Sequence, residues 1–214
     1  MFQQSQNEEY LQVCIDRVKN IELVWVEQFL DVISDNIDTE KHLRLNDIGC
    51  NLGQFWKGLK KKQWSKNLEY KGYDLETIYL EHARNIFPEI STRLHELDIA
   101  RKKPANCDIS VCSATLEHLE YLQPALDNMI QSTGSLVLLR TFLGEGSLKA
   151  IRMKSGAKSY YHIHQFSFNE IFSSFEKNGF SVKIIRDKYT DSMPTYLDNG
   201  IIRTFFIIVG SRVK

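Results

Sequence analysis

The sequence lacks the features of specialised protein classes and is that of an ordinary folded domain. Its 214 residues include only four cysteines and four prolines, and 27 basic residues balance 27 acidic ones. With no net charge, no global field draws the chain onto nucleic acid or an anionic membrane. No apolar run approaches the ~18 residues of a membrane span, and the start MFQQSQNEEY has no signal-peptide features. We therefore expect a cytoplasmic protein with no membrane partner.

The cysteine pattern excludes a disulfide scaffold. Cys14, Cys50, Cys107 and Cys112 include no C-x-x-C pair, and a chain of this length buries a core without cross-links. Hydrophobic residues make up 43% and charged residues 25%, which is typical of folded proteins and not of disordered ones. We expect one domain over residues 1–214, with free thiols.

Helical and strand patterns alternate along most of the chain. Apolar residues recur at helical spacing from Glu8 to about Ile37, which predicts an N-terminal helical cap over residues 1–40. Strands are then predicted at 43–48, 70–73, 93–97, 108–112 and 135–140, and helices at 52–63, at 76–87 and from 124 onward. This alternation predicts an α/β fold, with βαβ units and a mostly parallel sheet that has helices on both faces.

The C-terminal third has a different order. Ser167 and Glu170 have the spacing of a capping box, with Phe166 and Ile171 placed as a hydrophobic staple, so a helix is predicted at 168–178. Strands at 180–186 and 201–209 have no room for a helix between them, so they must run antiparallel. The last strand is apolar almost throughout, which places it inside the sheet.

Residues 141–166 carry Gly144, Gly146 and Gly156 and have no clear periodicity. Such a long irregular segment is unusual unless it covers or forms a binding site. We expect it to be a lid loop on the acceptor side of a site.

The most informative segment follows the first predicted strand and reads Asp47-Ile-Gly49-Cys50-Asn51-Leu-Gly53. Its glycines allow a tight turn and close backbone approach, and the helix that follows begins with free N–H groups. The dinucleotide fingerprint G-x-G-x-x-G and the phosphate loop G-x-x-x-x-G-K-[ST] are both absent. Because a carboxylate at this strand end repels phosphate and favours an ammonium or sulfonium ligand, a nicotinamide-dependent oxidoreductase is disfavoured.

This acid-x-Gly-x-x-x-Gly segment resembles the first motif of the class I S-adenosylmethionine-dependent methyltransferases, although many members have glycine at the position of Asn51. The resemblance implies that S-adenosylmethionine is the cofactor and that the backbone of 49–53 with Asp47 holds its amino-acid end. Cys50 and Asn51 belong to this segment.

Two later acids strengthen the resemblance. Asp74, followed by Leu75, ends the second predicted strand, and Asp98, followed by Ile99, comes after the third. In the family the first of these acids accepts hydrogen bonds from the ribose hydroxyls. The second meets the adenine amino group, and the backbone N–H of Ile99 would face the ring. Each acid alone could be a helix cap or a turn residue.

The fourth predicted strand leads into Ser113-Ala114-Thr-Leu-Glu-His118-Leu, which resembles the post-strand segment of the same family. The resemblance implies that Ser113 and Ala114 pass under the cofactor and that His118 faces the acceptor. A histidine there can act as a general base, or it can only shape the pocket.

The resemblance covers roughly residues 40–211. It implies a Rossmann-like, seven-stranded sheet in which the seventh strand inserts antiparallel between the fifth and the sixth. It also implies methyl transfer to an oxygen or nitrogen atom of a small-molecule acceptor. The basic residues of the long loop (Arg140, Lys149, Arg152, Lys154 and Lys158) suggest an anionic acceptor.

Two alternatives remain open at this point. Glu117, His118 and the His-x-Phe formed by His164 and Phe166 resemble residues of the metal-dependent small-RNA 3′-terminal ribose methyltransferases, whereas the pair His162 and His164 alone has too few ligands for a metal site. The first acid of that ligand set would fall on Ala114, and the net charge does not favour RNA, so we expect no metal. A non-catalytic domain that binds S-adenosylmethionine is the other alternative.

Overall fold

Helices and strands alternate along the described part of the chain, as the hydrophobic pattern predicts. The computed structural model describes residues 8–153, 160–196 and 202–213. Its helices are α1 Glu8–Asn20, α2 Val24–Asn36, α3 Gln54–Leu59, α4 Thr77–Ile86, α5 Leu122–Gln131 and α6 Phe168–Lys177. The principal strands are β1 Leu43–Ile48, β2 Leu68–Asp74, β3 Leu94–Glu96, β4 Cys107–Ser113, β5 Thr133–Gly144, β6 Phe180–Arg186 and β7 Phe205–Arg212.

These strands form one sheet in the order β3-β2-β1-β4-β5-β7-β6. The pairs β1–β2, β1–β4, β2–β3 and β4–β5 are parallel. Strand β7 lies between β5 and β6 and runs antiparallel to both. The predicted Rossmann-like sheet with an antiparallel last strand is confirmed. A two-residue strand, Phe166–Ser167, pairs with the end of β5 as an eighth member.

Each face of the sheet has its own hydrophobic core. The cap helices α1 and α2 pack with α3 and α4 on one face, where Phe29, Leu30 and Phe55 are buried. Helices α5 and α6 cover the other face. Strand β7 contributes to both cores, since Ile207 belongs to the first cluster and Ile208 to the second. Alternate side chains of a strand point to opposite faces, so burial on both sides fits an interior strand.

Local sequence signals determine where α6 begins. The Ser167 hydroxyl accepts a hydrogen bond from the Glu170 N–H at 3.1 Å, and the Glu170 carboxylate accepts one from the Ser167 N–H at 2.9 Å. This is the predicted capping box, which satisfies two amide groups that the first helical turn leaves without partners. Phe166 and Ile171 are both buried beside it.

Several predicted boundaries are wrong by a few residues. The helix predicted at 52–63 is the shorter α3, followed by a 3₁₀ turn at Gln63–Asn67. The strand predicted at 201–209 is β7, which begins at Phe205. Residues Ile202–Arg203 pair instead with Thr195–Tyr196 in a separate antiparallel ribbon. Residue 201 lies outside the described residues.

The segment 141–166 is more regular than predicted. Strand β5 continues through residues 141–144, where Phe142 and Leu143 are buried, so the predicted loop begins four residues too early. Farther along, Ile151–Met153 pairs antiparallel with Tyr160–His162. We call this pair of strands the lid ribbon. Residues 154–159, including Lys154 and Lys158, lie outside the described residues.

The four cysteines are all buried and free. Every helix among the described residues is too short or too polar to cross a membrane.

Gly210 provides a test of this packing. A Cβ atom at this β7 position would overlap the ring of Phe175 in α6. Because overpacking of a dense core costs roughly 1–3 kcal/mol, Gly210→Ala should lower the free energy of unfolding by that amount. Equilibrium urea denaturation measures it. The control is Gly146→Ala, where an added Cβ meets no atom within 4 Å. Equal stability of the two variants would contradict the β7–α6 packing.

Candidate active site at the carboxyl ends of the strands

A cavity of about 450 Å³ opens at the carboxyl ends of β1, β2 and β4. Its volume is within the usual range for small-molecule sites, and the carboxyl edge of an open α/β sheet is where such sites form. Nine of the predicted site residues line it, namely Gly49, Asn51, Asp74, Leu75, Asp98, Ile99, Ser113, Ala114 and His118. The structure therefore brings together residues that are far apart in the sequence, with 69 positions between the first, Gly49, and the last, His118.

The loop between β1 and α3 is tied to the end of β2. The N–H groups of Gly49 and Cys50 both donate to the Tyr73 carbonyl, at 2.8 and 3.0 Å. Gly49 has a φ of +71°, and a Cβ atom there would overlap the side chain of Thr115. Both features require glycine. Asn51 is also left-handed, with a φ of +49°, and its side-chain oxygen accepts the Leu52 N–H at 2.8 Å.

Asp74 holds two loops with one carboxylate. Its Oδ2 accepts the Asn51 N–H and its Oδ1 accepts the Glu76 N–H, both at 2.9 Å. Burial raises the pKa of Asp74 to about 6, although the hydrogen bonds from Glu76 and Asn51 act in the opposite direction. The carboxylate is therefore ionised above this pH, on the wall of the cavity.

Asp47 does not lie on the cavity wall, contrary to the resemblance. It is 4% exposed and its Oδ2 accepts a hydrogen bond from the Tyr70 hydroxyl at 2.8 Å. Burial raises the pKa of Asp47 to about 7, against the effect of the Tyr70 hydrogen bond. Cys50 and Gly53 are also absent from the wall. Cys50 is buried in the core, and Gly53, with a φ of +83°, precedes α3.

Asp98 and Ile99 form the next part of the wall. The Asp98 carboxylate accepts the Ala100 N–H at 3.0 Å and pairs with Arg101 at 3.2 Å. The Ile99 carbonyl accepts a hydrogen bond from the Asn128 side chain of α5 at 2.8 Å. These contacts hold the turn after β3 against α5. Ser113 and Ala114 follow at the end of β4, where the Ala114 N–H donates to the Arg140 carbonyl at 2.9 Å.

His118 is half-buried and held by the lid ribbon. Its Nδ1 lies 2.8 Å from the carbonyl oxygen of His162, and its ring meets Tyr161 edge-on at 5.7 Å between centroids. A carbonyl oxygen only accepts hydrogen bonds, so Nδ1 must carry the proton. In the neutral ring, Nε2 then keeps its lone pair, which is the form that a general base requires.

Arg140 crosses from β5 toward the connection between β6 and β7. It forms a bidentate ion pair with Asp187, with Nε–Oδ1 at 3.1 Å and Nη2–Oδ2 at 2.9 Å. Its guanidinium also lies over the Phe205 ring, 3.8 Å from the centroid. The pair lowers the pKa of Asp187, although burial opposes the shift. Arg140 and Tyr189 both line the cavity.

The histidines of the long segment have different positions. His162 lines the cavity, whereas His164 is buried behind it and accepts the Ala150 N–H on Nδ1 at 3.2 Å. Burial lowers the pKa of His164. Glu117 is 1% exposed and accepts a hydrogen bond from Thr141 at 3.0 Å. Within the described ranges, no group of three or more His, Cys, Asp or Glu side chains is arranged to hold a metal ion.

Comparisons by sequence and by structure give different results. No protein-family model and no curated protein matches the chain. A TehB-like SAM-dependent methyltransferase from Corynebacterium glutamicum is 16% identical, with a TM-score of 0.63 over 98% of this chain and 99% of that one. DesVI from Streptomyces venezuelae is 15% identical, with a TM-score of 0.59 over 99% and 100% of the two chains.

The chain is also similar to the structure of magnesium protoporphyrin IX methyltransferase from Synechocystis PCC 6803 with bound SAH. It is 13% identical, with a TM-score of 0.58 over 100% of this chain and 89% of that one. This chain has the class I S-adenosylmethionine-dependent methyltransferase fold. In this methyltransferase fold the strand order reverses between β1 and β4, which leaves a crevice at that edge of the sheet. The cavity lies at this point.

Part of the cavity wall has no motif in the sequence. Tyr10, Cys14 and Arg17 line it from α1, and Tyr79 lines it from α4. Their spacing within α1 is that of one helix face, which sequence periodicity predicts as buried core and not as a binding surface. These residues are identified as part of the cavity wall by the position of α1 over the strand ends, which the structure shows and the sequence does not.

Asp47 makes stability depend on pH. Its pKa is higher in the folded chain than in the unfolded chain, so the unfolded state binds fewer protons and stability falls as pH rises from about 4 to about 7. Asp47→Asn removes this loss. The free energy of unfolding of the variant, relative to the wild type, should rise by roughly 4 kcal/mol between about pH 4 and pH 8 and then stay constant.

Urea denaturation at intervals from pH 4 to pH 8 measures the difference. The control is Asp38→Asn, which changes an exposed aspartate in the turn before β1. Its free energy of unfolding should change with pH in the same way as that of the wild type. A flat difference for Asp47→Asn would show that this carboxylate has an ordinary pKa.

Proposed function

We propose that this protein transfers a methyl group from S-adenosylmethionine to an oxygen or nitrogen atom of a small-molecule acceptor. The observation that carries the proposal is the cavity wall, where Asp74 and Asp98 lie at two neighbouring strand ends beside the Gly49 loop. Carboxylates attract a sulfonium and repel a phosphate. The Synechocystis enzyme, which has the same fold, was solved with SAH and with SAM, and this supports the same ligand here.

The residues of the wall fit this donor. A carboxylate offers about four acceptor positions, and in Asp74 backbone amides use two, which leaves two for the ribose hydroxyls. The Tyr79 hydroxyl is buried nearby without a hydrogen-bond partner among the described residues, which is a polar group that a ligand could satisfy. In the proposed arrangement Leu75 adjoins the ribose, and Asp98 and Ile99 hold the adenine. Ser113 and Ala114 lie beneath the cofactor.

Asp47, Cys50 and Gly53 support the site from behind. Gly49 and Asn51 face the amino-acid end of the donor, and the three other residues hold their loop against β2 and α4. S-adenosylmethionine, when bound, supplies an electrophilic methyl group on a positively charged sulfur. The protein has to align an acceptor with that methyl and exclude water, since orientation alone supplies a large part of the rate.

His118 is the proposed general base. Its Nδ1–H is engaged by the His162 carbonyl, so Nε2 is available to take the proton that the acceptor oxygen or nitrogen loses as it attacks. Tyr161 packs against the ring and limits its rotation. The lid ribbon therefore holds the base and covers the acceptor at the same time, which is the role we propose for residues 141–166.

The acceptor is proposed to carry an anionic group. Asp187 accepts hydrogen bonds from five donors, two on Arg140 and three on Tyr189 and Thr190. Asp187 engages only Nε and Nη2 of Arg140, and Nη1 has no acceptor among the described residues, so this N–H group is free to donate to an anion. Arg140 reaches the cavity with aromatic rings beside it, which suits a small acid.

The cytoplasm is the proposed compartment. Four free thiols, all of them buried, are consistent with a reducing environment.

Calorimetry tests the donor site. The wild type should bind S-adenosylhomocysteine and show no heat with NAD⁺. Asp98→Ala should weaken S-adenosylhomocysteine binding by about tenfold or more, the usual effect of losing one polar contact to a ligand. Asp127→Ala in α5 is the control, because this aspartate lies outside the cavity. If the folded wild type bound neither S-adenosylhomocysteine nor S-adenosylmethionine, the proposed function would be wrong.

An assay of methyl transfer tests whether His118 is the general base. Labelled S-adenosylmethionine, incubated with a panel of small acids that carry hydroxyl or amino groups, should yield a methylated acceptor. With that acceptor, His118→Gln should lower kcat by about 10²–10⁴-fold, with S-adenosylhomocysteine affinity unchanged. His42→Gln, an exposed histidine before β1, should behave as the wild type. An unaltered kcat for His118→Gln would leave His118 as a pocket residue only, and no transfer to any acceptor would favour the non-catalytic alternative.

A further inference from the structure

Gln28 of the cap helix α2 is a buried amide outside every motif of the sequence. It is 5% exposed, and the next two residues of the helix, Phe29 and Leu30, belong to the hydrophobic core. A buried polar side chain costs free energy unless its donor and its acceptor both find partners. The partners of Gln28 therefore indicate what the amide is for.

Both ends of the Gln28 amide bind the backbone that follows β6. Its Nε2 donates to the Arg186 carbonyl at 2.7 Å, and its Oε1 accepts the Lys188 N–H at 2.9 Å. These two backbone groups flank Asp187. The Asp187 N–H itself donates to the Ser192 hydroxyl at 2.9 Å. The backbone at Asp187 is therefore held by a helix from the other end of the chain.

The Asp187 carboxylate in turn determines the direction of the Arg140 guanidinium. Asp187 is 0% exposed, and its two oxygens accept from Nε and Nη2 of Arg140. A guanidinium is a rigid plane with five N–H donors, so fixing this edge also fixes the opposite edge, which carries both N–H groups of Nη1 and one of Nη2. We call this opposite edge the outer edge of Arg140. On it, Nη1 has no acceptor among the described residues.

We infer that Gln28 is a positioning residue for the acceptor, because it holds Asp187 and thereby orients the outer edge of Arg140. The inference rests on the proposed function, in which Arg140 binds the anionic group of the acceptor. Gln28 is not among the residues of the cavity wall, so its effect passes through Asp187. A displacement of about 1 Å in a group that positions a substrate can cost up to ~10²-fold in rate.

This role affects one substrate and not the other. Asp74 and Asp98, at the donor end of the cavity, are held by hydrogen bonds within their own loops. Loss of the Gln28 contacts should therefore weaken binding of the acceptor and leave binding of the donor unchanged. A residue that only stabilised the fold would not separate the two.

Steady-state kinetics of Gln28→Met measure the effect. Methionine has a side chain of similar length and makes neither hydrogen bond. With the hydroxy or amino acid that the wild type methylates, KM should rise by about tenfold, because the loss of one or two hydrogen bonds displaces Arg140. The value of kcat and the affinity for S-adenosylhomocysteine should not change, since the contact is the same in the ground state and the transition state. The same acceptor with a carboxamide in place of its carboxylate should have an unchanged KM.

Nitrogen-15 NMR of the arginine side chains measures the link between Gln28 and Arg140 without an acceptor. The Arg140 Nε–H donates to Asp187 at 3.1 Å, so its proton should exchange slowly with water. Its signal is identified by its absence in Arg140→Lys. In Gln28→Met this exchange should be faster by about tenfold, because Asp187 is held less firmly and the ion pair opens more often.

Gln123→Met is the matched control. Gln123 is a glutamine of α5 whose amide also links two elements, since it lies 2.7 Å from the Ser174 hydroxyl of α6, but it is not part of the cavity wall. This variant should keep the wild-type KM and the wild-type Arg140 signal. Thermal denaturation shows whether each variant is folded. If Gln28→Met does not fold, Gln28→Asn takes its place, because its shorter amide cannot bridge both backbone groups.

The outcomes separate the inference from the function on which it rests. If the folded Gln28 variant kept the wild-type KM and Arg140 exchange, or lost affinity for acceptor and S-adenosylhomocysteine equally, Gln28 would be a structural residue only and the inference would be wrong. A wild type that methylated none of the acids would instead contradict the proposed function. In that case, unchanged Arg140 exchange in the variant would contradict the inference independently.

Discussion

The carboxylate of Asp74 is the constraint on which the rest of the site depends. It joins the loop after β1 to the loop after β2 through two backbone amides, one of them on a residue in the left-handed conformation. Those amides offset part of the cost of burying the charge, and this keeps the group ionisable near neutral pH. The same two oxygens of Asp74 hold the loops and face the cavity. A substitution of Asp74 therefore affects the loop conformation as well as the binding of any ligand.

The two ends of the cavity differ in charge. The end formed by β2 and β3 presents carboxylates, whereas the end formed by β5 and the lid ribbon presents Arg140 and aromatic rings. Under the proposed function, a cationic donor would be attracted to the first end and an anionic acceptor to the second. This separation of charge, in a chain whose total charge is zero, shows why net charge alone says little about a binding site.

The fold was largely predictable because its signals are local. Strand and helix periods, the capping box at Ser167 and the apolar run of β7 each act over a few residues. Asp74 and Asp98, which the resemblance indicated at two strand ends, both line the cavity. The burial of Asp47 could not be read from the motif, because it depends on Tyr70 of the neighbouring strand. The wall residues of α1 were missed because a helix face has the same periodicity over a core or over a cavity.

The position of β7 has a consequence for the order of assembly. Strand β6 pairs with β7 and with no other principal strand, and β7 is the last of them to be synthesised. During translation β6 therefore has no partner strand in the sheet until β7 has left the ribosome and joined β5. The edge of β5 stays open for that time, and an open edge can pair with a strand of another nascent chain.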